Sequence, residues 1–268
     1  IILMKENLKE YCNKFNPILE SNIFTTKECE KVASTLLTVK DKWENRSPAG
    51  DFFMSYGALT YLDGNNGAAK DPEYDKFRNN DDSIPNVYEH KSKYFNELLF
   101  KDFRWMYAKI KSYYDSKFEK PVLFKKALPG FHIFQSPKYL NHEDAKNLAT
   151  IHIDLPHTSH QWNADILAVS SFTIAIELPK CGAGLNIWLD DSIFDSVDTV
   201  FFDQMSSEEQ KAIANGAVYM PYKLGYIYEQ TGLTRHQITI NGDVAEGERR
   251  ISVQGHMVET NTEIIIYV

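Results

Sequence analysis

The sequence predicts an all-β core with flanking helices, arranged as a sandwich or barrel. Three observations lead to this fold class. After Pro121 the chain consists of short apolar runs bounded by Pro and Gly, which is typical of strands. Apolar residues at helical spacing are concentrated before Pro121. The 268 residues are 43% hydrophobic, which suffices for one large core. We therefore predict a single domain over residues 1–268, with a mainly helical buttress over 1–120 and the β core over 121–268.

The first 120 residues contain two predicted helices and one predicted strand. Thr25 to Lys40 begins with a threonine cap and Glu28, and continues with apolar residues at helical spacing. Tyr88 to Phe118 has an aromatic stripe, which is typical of a helix packed on a sheet. Residues 52–61 predict a strand, and residues 63–86, rich in Asn, Asp, Gly and Pro, predict a long loop.

Beyond Pro121 the pattern is that of short strands separated by turns. One predicted helix, Ser206 to Asn215, interrupts them and ends at Gly216. The predicted strands are 122–127, 131–135, 149–154, 170–178, 185–189, 217–220, 225–229, 236–240, 249–258 and 263–268.

Charge and cysteine content argue against several function classes. The net charge of -8 disfavours nucleic-acid and anionic-membrane surfaces as partners, because these need a basic face. Three cysteines without metal-like spacing are typical of reduced thiols, and no apolar run reaches the roughly 18 residues of a membrane span. We expect a cytoplasmic protein that binds a small molecule, without a nucleic-acid, membrane or obligate protein partner.

A histidine and an aspartate two residues apart form the first candidate site. In the predicted strand 149–154, His152 and Asp154 project to the same face, because side chains alternate along a strand. An imidazole and a carboxylate side by side are two thirds of a facial metal site. Burying that carboxylate without a partner would be costly, which favours a metal over a purely structural role.

The third ligand is predicted to be His236, with His256 as the alternative. Both histidines lie in strand patterns late in the chain. His236 is followed by Arg250 and Ser252 on one face of the next strand, a pair that can bind a carboxylate, whereas no arginine follows His256. Arg249 stays an alternative to Arg250, since strand alternation directs only one of them inward.

This ordered set resembles the iron(II)/2-oxoglutarate-dependent oxygenase superfamily. The resemblance covers roughly residues 120–258 and includes the order of the segments between the candidate ligands. The segments are His152-x-Asp154, the distal His236 and Arg250-x-Ser252, together with Pro129 to Phe134, the Gly-rich turn Gly182 to Trp188, and Pro221 to Tyr228.

The resemblance implies a double-stranded β-helix, jelly-roll or cupin-like, with the N-terminal helices packed on its sheet. It implies Fe(II) on His152, Asp154 and His236, 2-oxoglutarate on Arg250 and Ser252, and O2 as the second cosubstrate. Related halogenases carry a small residue in place of this aspartate, so oxygenation is implied and halogenation is not. The number of residues between His236 and Arg250 is larger than the commonest spacing in the family, so Arg249 stays an alternative to Arg250 as the residue that binds 2-oxoglutarate.

The resemblance also implies a substrate class. Freestanding oxygenases of this size resemble those acting on small molecules such as amino acids or their derivatives, by hydroxylation, desaturation or oxidative cyclisation, and the layout resembles the kainoid synthases. Leu155 to Asn163 is predicted as a lid or substrate-contact loop, and the loop 63–86 as a second cover. The candidate substrate contacts are His132, Gln135, His157, Trp162, Tyr226, Tyr228 and His256.

Two alternatives to this function stay open. A protein-directed hydroxylase of the same fold predicts an open groove with exposed apolar residues near 157–163. A non-catalytic, cupin-like module would use the His/Asp set structurally or to hold zinc.

Overall fold

Strands with alternating polar and apolar residues form two sheets that enclose the candidate site. The computed structural model describes residues 18–46, 52–64, 87–135, 151–189, 199–200, 206–231 and 234–268. The predicted loop 63–86 lies outside these residues apart from its first two, as do residues 149–150 of one predicted strand.

The described residues contain fourteen strands and four α-helices. The strands are β1 (Ile18–Asn22), β2 (Glu44–Asn45), β3 (Phe53–Tyr56), β4 (Val122–Phe124), β5 (Gly130–Phe134), β6 (Ile151–His152), β7 (Ala168–Glu177), β8 (Ala183–Trp188), β9 (Thr199–Val200), β10 (Val218–Pro221), β11 (Tyr226–Thr231), β12 (Arg235–Ile240), β13 (Arg250–Glu259) and β14 (Ile264–Tyr267). The helices are α1 (Thr26–Thr38), α2 (Thr60–Asp63), α3 (Val87–Asp115) and α4 (Ser207–Gly216).

Nine strands form the larger sheet and five form the smaller one. The larger sheet has the order β1-β11-β7-β13-β5-β3-β2, with β14 beside β13 and β4 beside β14; the smaller has the order β10-β8-β12-β6-β9. Neighbouring strands are antiparallel, apart from the parallel pair of β4 and β14. Within the described residues neither sheet closes on itself. The predicted all-β core with flanking helices is confirmed.

Strand β13 shows how alternation separates the core from the site. It pairs with β7 along its length, and with β5 and then β14 on its other edge. Three of its apolar residues, Ile251, Val253 and Met257, belong to the same core cluster as the helices. The alternate positions from Arg250 to His256 face the smaller sheet and are polar although buried: Arg250, Ser252, Gln254 and His256.

Helices α1 and α3 cover the outer face of the larger sheet. Helix α1 begins with the predicted capping box, in which the Thr25 and Glu28 side chains each bind the other's backbone N–H. Glu28 also accepts a hydrogen bond of 2.6 Å from Lys109 of α3, which joins the two helices. Phe103 and most of the predicted aromatic stripe of α3 lie in the core against the sheet, whereas Tyr94 is about half exposed. No helix within the described ranges is both long and apolar enough to cross a membrane.

The N-terminal part of the chain contributes more to the sheet than the sequence predicts. β1 pairs with β11 at one edge of the larger sheet, and β2 and β3 form the other edge, so residues 1–120 are not simply a helical buttress. The predicted strand 52–61 ends at Tyr56, because Gly57 has a φ of +134° and α2 follows. A Cβ at Gly57 would lie 2.9 Å from the Gly130 Cα, so this close approach requires glycine.

Candidate metal centre

Strands β6 and β12 place two histidines opposite each other. His152 and His236 are direct cross-strand partners, and their ring centroids lie 4.5 Å apart. The strand predicted at 149–154 is shorter than expected: β6 ends at His152, and Asp154 follows outside regular structure. Asp154 nevertheless reaches both rings, at 3.6 Å from each histidine Nε2.

These three side chains fit a divalent metal ion. One ligand atom from each lies within 4.8 Å of the other two, and no other such group of His, Cys, Asp or Glu exists among the described residues. Two ligands at about 2.1 Å from a metal lie at most about 4 Å apart, so the 3.6 Å separations allow a shared ion. Two imidazoles and one carboxylate are the donor set of non-haem Fe(II) oxygenases. His256, the alternative third ligand, is not in the group.

The backbone fixes which nitrogen of His236 is available to a metal. Its Nδ1 lies 2.8 Å from the Thr234 carbonyl oxygen, an acceptor, so Nδ1 carries the proton. The lone pair of the neutral ring is therefore on Nε2, the nitrogen that faces Asp154. Such a hydrogen bond orients metal-binding histidines in proteins.

Gln230 of β11 contacts two of the three candidate ligands, a role that the sequence analysis missed. Its side-chain nitrogen lies 3.5 Å from Asp154 Oδ2, to which it donates, and 3.2 Å from His236 Nε2, the ring nitrogen that carries the lone pair. The residue is 9% exposed, and its Oε1 has no hydrogen-bond partner among the described residues. No motif marks this glutamine; its inward position follows from the register of β11 with β7.

Asp154 stays ionised despite its burial. Burial by itself raises the pKa of a carboxyl group, but the neighbouring His236, His256 and His152 and a hydrogen bond from Ser171 lower the pKa of Asp154 well below its ordinary value. The carboxylate is therefore in the form that binds a metal ion.

Arg250 is a fully buried cation that has no counter-ion among the described residues. None of its three guanidinium nitrogens has a hydrogen-bond partner among the described residues, and the same holds for the Ser252 hydroxyl. The guanidinium lies over the rings of Phe134 and Tyr222, at 5.3 and 5.4 Å from their centroids. Burial lowers the pKa of Arg250, and Tyr222 opposes this effect. An unpaired buried cation is costly, so the pair Arg250 and Ser252 fits an anion such as a carboxylate.

The structure distinguishes the two adjacent arginines. Arg249 is partly exposed and forms an ion pair with Glu177, with Nε 3.0 Å from Oε1. Arg250 points to the opposite face, between the sheets. The alternation rule therefore operates as predicted, and Arg250 is the inward residue.

His132 and His256 lie on the inner face of the larger sheet, near the candidate ligands. Burial, with Arg250 next, lowers the pKa of His132 to about 3, and burial also lowers the pKa of His256. The Tyr61 hydroxyl, on α2, lies 3.4 Å from His132 Nε2. The Ser171 hydroxyl, on β7, lies 2.8 Å from His256 Nδ1. Both histidines are therefore neutral polar groups inside the fold at pH 7.

The segment after Asp154 is held in place by aromatic packing. Trp162 donates its indole N–H to the His157 carbonyl oxygen at 2.8 Å, and its ring packs edge-on against Tyr267. His160 contacts Thr60 Oγ1 at 3.1 Å and packs edge-on against both Trp162 and Tyr267. The predicted contact loop is thus docked on the C-terminal strand and on α2.

Three predicted substrate contacts, Gln135, Tyr226 and Tyr228, also form contacts within the fold. The Tyr228 hydroxyl accepts a hydrogen bond from the Lys223 backbone at 2.6 Å and donates to the Pro221 carbonyl oxygen at 3.2 Å, which closes the turn before β11. Gln135 follows β5, and its backbone N–H donates to Phe52 at 2.8 Å. Tyr226 lies at the start of β11, beneath the Lys223 ammonium group.

Comparison with solved structures identifies the fold. An N-substituted L-amino acid dioxygenase from Burkholderia ambifaria AMMD matches over 94% of this chain and 86% of that chain, with a TM-score of 0.53 and 10% sequence identity. Its complex with alpha-KG matches over the same shares, with a TM-score of 0.50 and 10% identity. The chain has the fold of an iron(II)/2-oxoglutarate oxygenase. The predicted jelly-roll architecture of this superfamily is thereby confirmed.

The remaining comparisons give a weaker structural match or no match. The alpha-ketoglutarate-dependent epimerase SnoN from nogalamycin biosynthesis superposes less closely on this oxygenase fold, with a TM-score of 0.43 and 10% identity over 92% of this chain and 79% of that chain. No protein-family model matches the sequence, and no curated protein matches it.

Proposed function

We propose that this protein is an Fe(II)- and 2-oxoglutarate-dependent oxygenase that acts on a C–H bond of a small metabolite. One observation supports it above all: a buried arginine and serine, whose side-chain polar atoms have no hydrogen-bond partner among the described residues, share the fold's interior with a His-Asp-His set. Together they match the two binding needs of this chemistry, a metal and a carboxylate.

His152, Asp154 and His236 would hold the Fe(II), and Arg250 and Ser252 the distal carboxylate of 2-oxoglutarate. When bound, Fe(II), 2-oxoglutarate and O2 supply the oxidising power needed to break an unactivated C–H bond. The chain's own contribution is position and exclusion of water. Its candidate ligands and Arg250 lie between two sheets, with Phe134 and Tyr222 covering the guanidinium.

The substrate that we favour is an amino acid with a substituted amino group. The matched dioxygenase from Burkholderia ambifaria is named for that substrate class, and the inner face beside the candidate metal site carries neutral hydrogen-bonding groups, among them His132, His256 and Ser171. Hydroxylation, desaturation and ring closure are all compatible with this arrangement. Ring closure of the kainoid type has no separate support here.

Anaerobic reconstitution tests the proposal. Purified protein with Fe(II) and 2-oxoglutarate is expected to show the visible charge-transfer band of the chelated metal, and to release succinate when O2 is admitted. His152→Ala and His236→Ala are expected to lose both signals, whereas His90→Ala, at an exposed position of α3, keeps them. Metal binding without 2-oxoglutarate turnover would indicate the non-catalytic, cupin-like module.

A cytoplasmic location is part of the same proposal. It is supported by the thiols: Cys29 is buried and Cys181 partly exposed, and both are free. Fractionation of the native host cells, followed by thiol labelling of the protein, tests it.

A further inference from the structure

Gln254 and Thr173 form a polar pair in the middle of the inner face of the larger sheet. They are cross-strand partners on β13 and β7. Gln254 is 8% exposed and Thr173 is partly exposed. The outer face of this sheet is packed against α1 and α3, and the smaller sheet packs over the inner face. The exposure of the pair therefore comes from space between the two sheets, where a small molecule can reach it.

The side-chain amide of Gln254 is not used within the fold. It has no hydrogen-bond partner among the described residues. An amide carries two N–H donors and a carbonyl acceptor, and burying these groups unpaired costs free energy. A bound molecule that pairs with the amide would recover this cost. The sequence analysis gives Gln254 no role, because a glutamine in a strand pattern carries no functional signal.

The register of the strands places this pair between the proposed carboxylate-binding residues and the candidate metal centre. On one side, Ser252 lies two residues before Gln254 on β13. On the other side, Ser171 lies two residues before Thr173 on β7 and pairs with Gln230, which contacts the candidate metal ligands. A molecule that extends from the first site to the second must pass over Gln254 and Thr173.

2-Oxoglutarate has the length to do so. Two residues along a strand span about 6.8 Å, which is close to the length of extended 2-oxoglutarate. With its distal carboxylate on Arg250 and Ser252, its oxo-acid end would lie at the level of Gln254. The carboxylate at that end only accepts hydrogen bonds, and an amide N–H can donate one. A neutral donor suffices there, because the metal ion would compensate the charge.

We propose that Gln254 donates a side-chain N–H to the 1-carboxylate of 2-oxoglutarate and so positions the oxo-acid end at the candidate metal centre. This inference rests on the proposed function and makes it more specific. Arg250 and Ser252 recognise one end of the cosubstrate, and Gln254 recognises the other. The site therefore selects an oxo acid with a carboxylate at both ends.

Two ligands that differ at the oxo-acid end test the proposal. 4-Oxopentanoate keeps the distal carboxylate and the keto group of 2-oxoglutarate, and carries a methyl group in place of the 1-carboxylate. In the Zn(II)-loaded protein, Gln254→Leu is expected to weaken 2-oxoglutarate binding about tenfold, the value of one hydrogen bond to a charged group. Binding of 4-oxopentanoate is expected to stay unchanged, which also shows that the variant is folded. Isothermal titration calorimetry measures the first Kd, and competition against 2-oxoglutarate the second.

Two further variants separate recognition from a structural role. Gln254→Glu is expected to weaken 2-oxoglutarate binding more than Gln254→Leu does, because it places a carboxylate against a carboxylate. Gln237→Leu removes a buried glutamine from β12 of the smaller sheet and is expected to change the binding of neither ligand. The proposal fails if Gln254→Leu binds 2-oxoglutarate as wild type does, or if it weakens both ligands equally.

The two proposals fail separately. The titrations use redox-inactive zinc, so they report on Gln254 whether or not the protein turns over 2-oxoglutarate. Equal 2-oxoglutarate binding by wild type and Gln254→Leu would contradict the role of Gln254 and leave the oxygenase proposal standing. A wild-type protein that binds no 2-oxoglutarate would contradict the oxygenase proposal itself.

Discussion

His152 and His236 face each other as the cross-strand pair that joins β6 to β12. β12 is held by β8 through six residue pairs, whereas β6 pairs with β12 at this position alone among the described residues. A slip of β12 by one residue would turn His236 away from the site, because side chains alternate along a strand. The geometry of the candidate metal centre therefore depends on the register of the smaller sheet.

Gln230 supports that geometry from the larger sheet. Its side-chain nitrogen donates to Asp154, so Gln230→Leu is expected to weaken Fe(II) affinity by about tenfold, as loss of a group that orients a metal ligand does. Gln237→Leu is the matched control: this buried glutamine lies on the other face of β12. Anaerobic competition with a chromophoric chelator measures both affinities, and equal losses in the two variants would exclude a specific role for Gln230.

Arg250 is expected to bind 2-oxoglutarate at a cost to the stability of the free protein. Arg250→Met should raise the melting temperature without 2-oxoglutarate, because it removes a buried cation that has no counter-ion among the described residues. The same variant should lose the stabilisation by 2-oxoglutarate, which for wild type is about 2.7 kcal/mol at about 100 times Kd. Differential scanning fluorimetry with and without the ligand measures both effects.

Arg249→Gln is the control for that experiment. Arg249 pairs with Glu177 at the partly exposed surface, so its replacement should leave the effect of 2-oxoglutarate unchanged and alter stability little. If Arg249→Gln loses the ligand effect while Arg250→Met keeps it, the assignment of the two arginines is reversed.

The sequence predicts local features of this fold well and its long-range features less well. The capping box of α1 and the alternation in β13 are local, and both appear where expected. Strands β1 and β2 escaped prediction because two to five residues acquire strand structure through distant partners, such as β11 for β1.

In the candidate site, too, some residues can be predicted from the sequence and others cannot. His152-x-Asp154 and Arg250-x-Ser252 are visible as spacings within a strand. Gln230 and Tyr222 cannot be recognised in the sequence. Gln230 lies beside Asp154, and Tyr222 beside Arg250, only because β11 and the turn before it pack against other strands. A glutamine or a tyrosine in a strand pattern carries no signal of such a neighbour.

Acid is expected to destabilise the protein through His132. Burial, followed by the charge of Arg250, lowers the pKa of His132 from 6.5 to about 3 in the folded state. Between these values the unfolded chain binds a proton that the folded chain does not. The stabilisation is therefore complete above about pH 6.5 and is lost as the pH falls, by up to about 1.4 kcal/mol per pH unit.

Urea denaturation at pH 7, 6 and 5 measures this dependence. His132→Gln should make the free energy of unfolding less dependent on pH over this range, whereas His90→Gln, at an exposed position, should not. A pH dependence that is identical in His132→Gln and wild type would show that other groups cause it.

Finally, a buried ion pair is expected to hold α2, and with it Tyr61, against the site. Arg46 donates to both carboxylate oxygens of Asp63, at 2.7 and 2.9 Å, and Asp63 also accepts from the Leu59 backbone at 2.8 Å. Asp63→Ala would leave the buried Arg46 guanidinium with Glu44 as its remaining carboxylate partner among the described residues, so the expected cost is about 3 kcal/mol, the lower end for a broken buried ion pair. Asp115→Ala is the matched control, because its pair with Lys111 is about 40% exposed on both sides and contributes below about 1 kcal/mol. Equal losses of unfolding free energy in urea would contradict a special role for the buried pair, whereas a large loss confined to Asp63→Ala would show that it anchors α2.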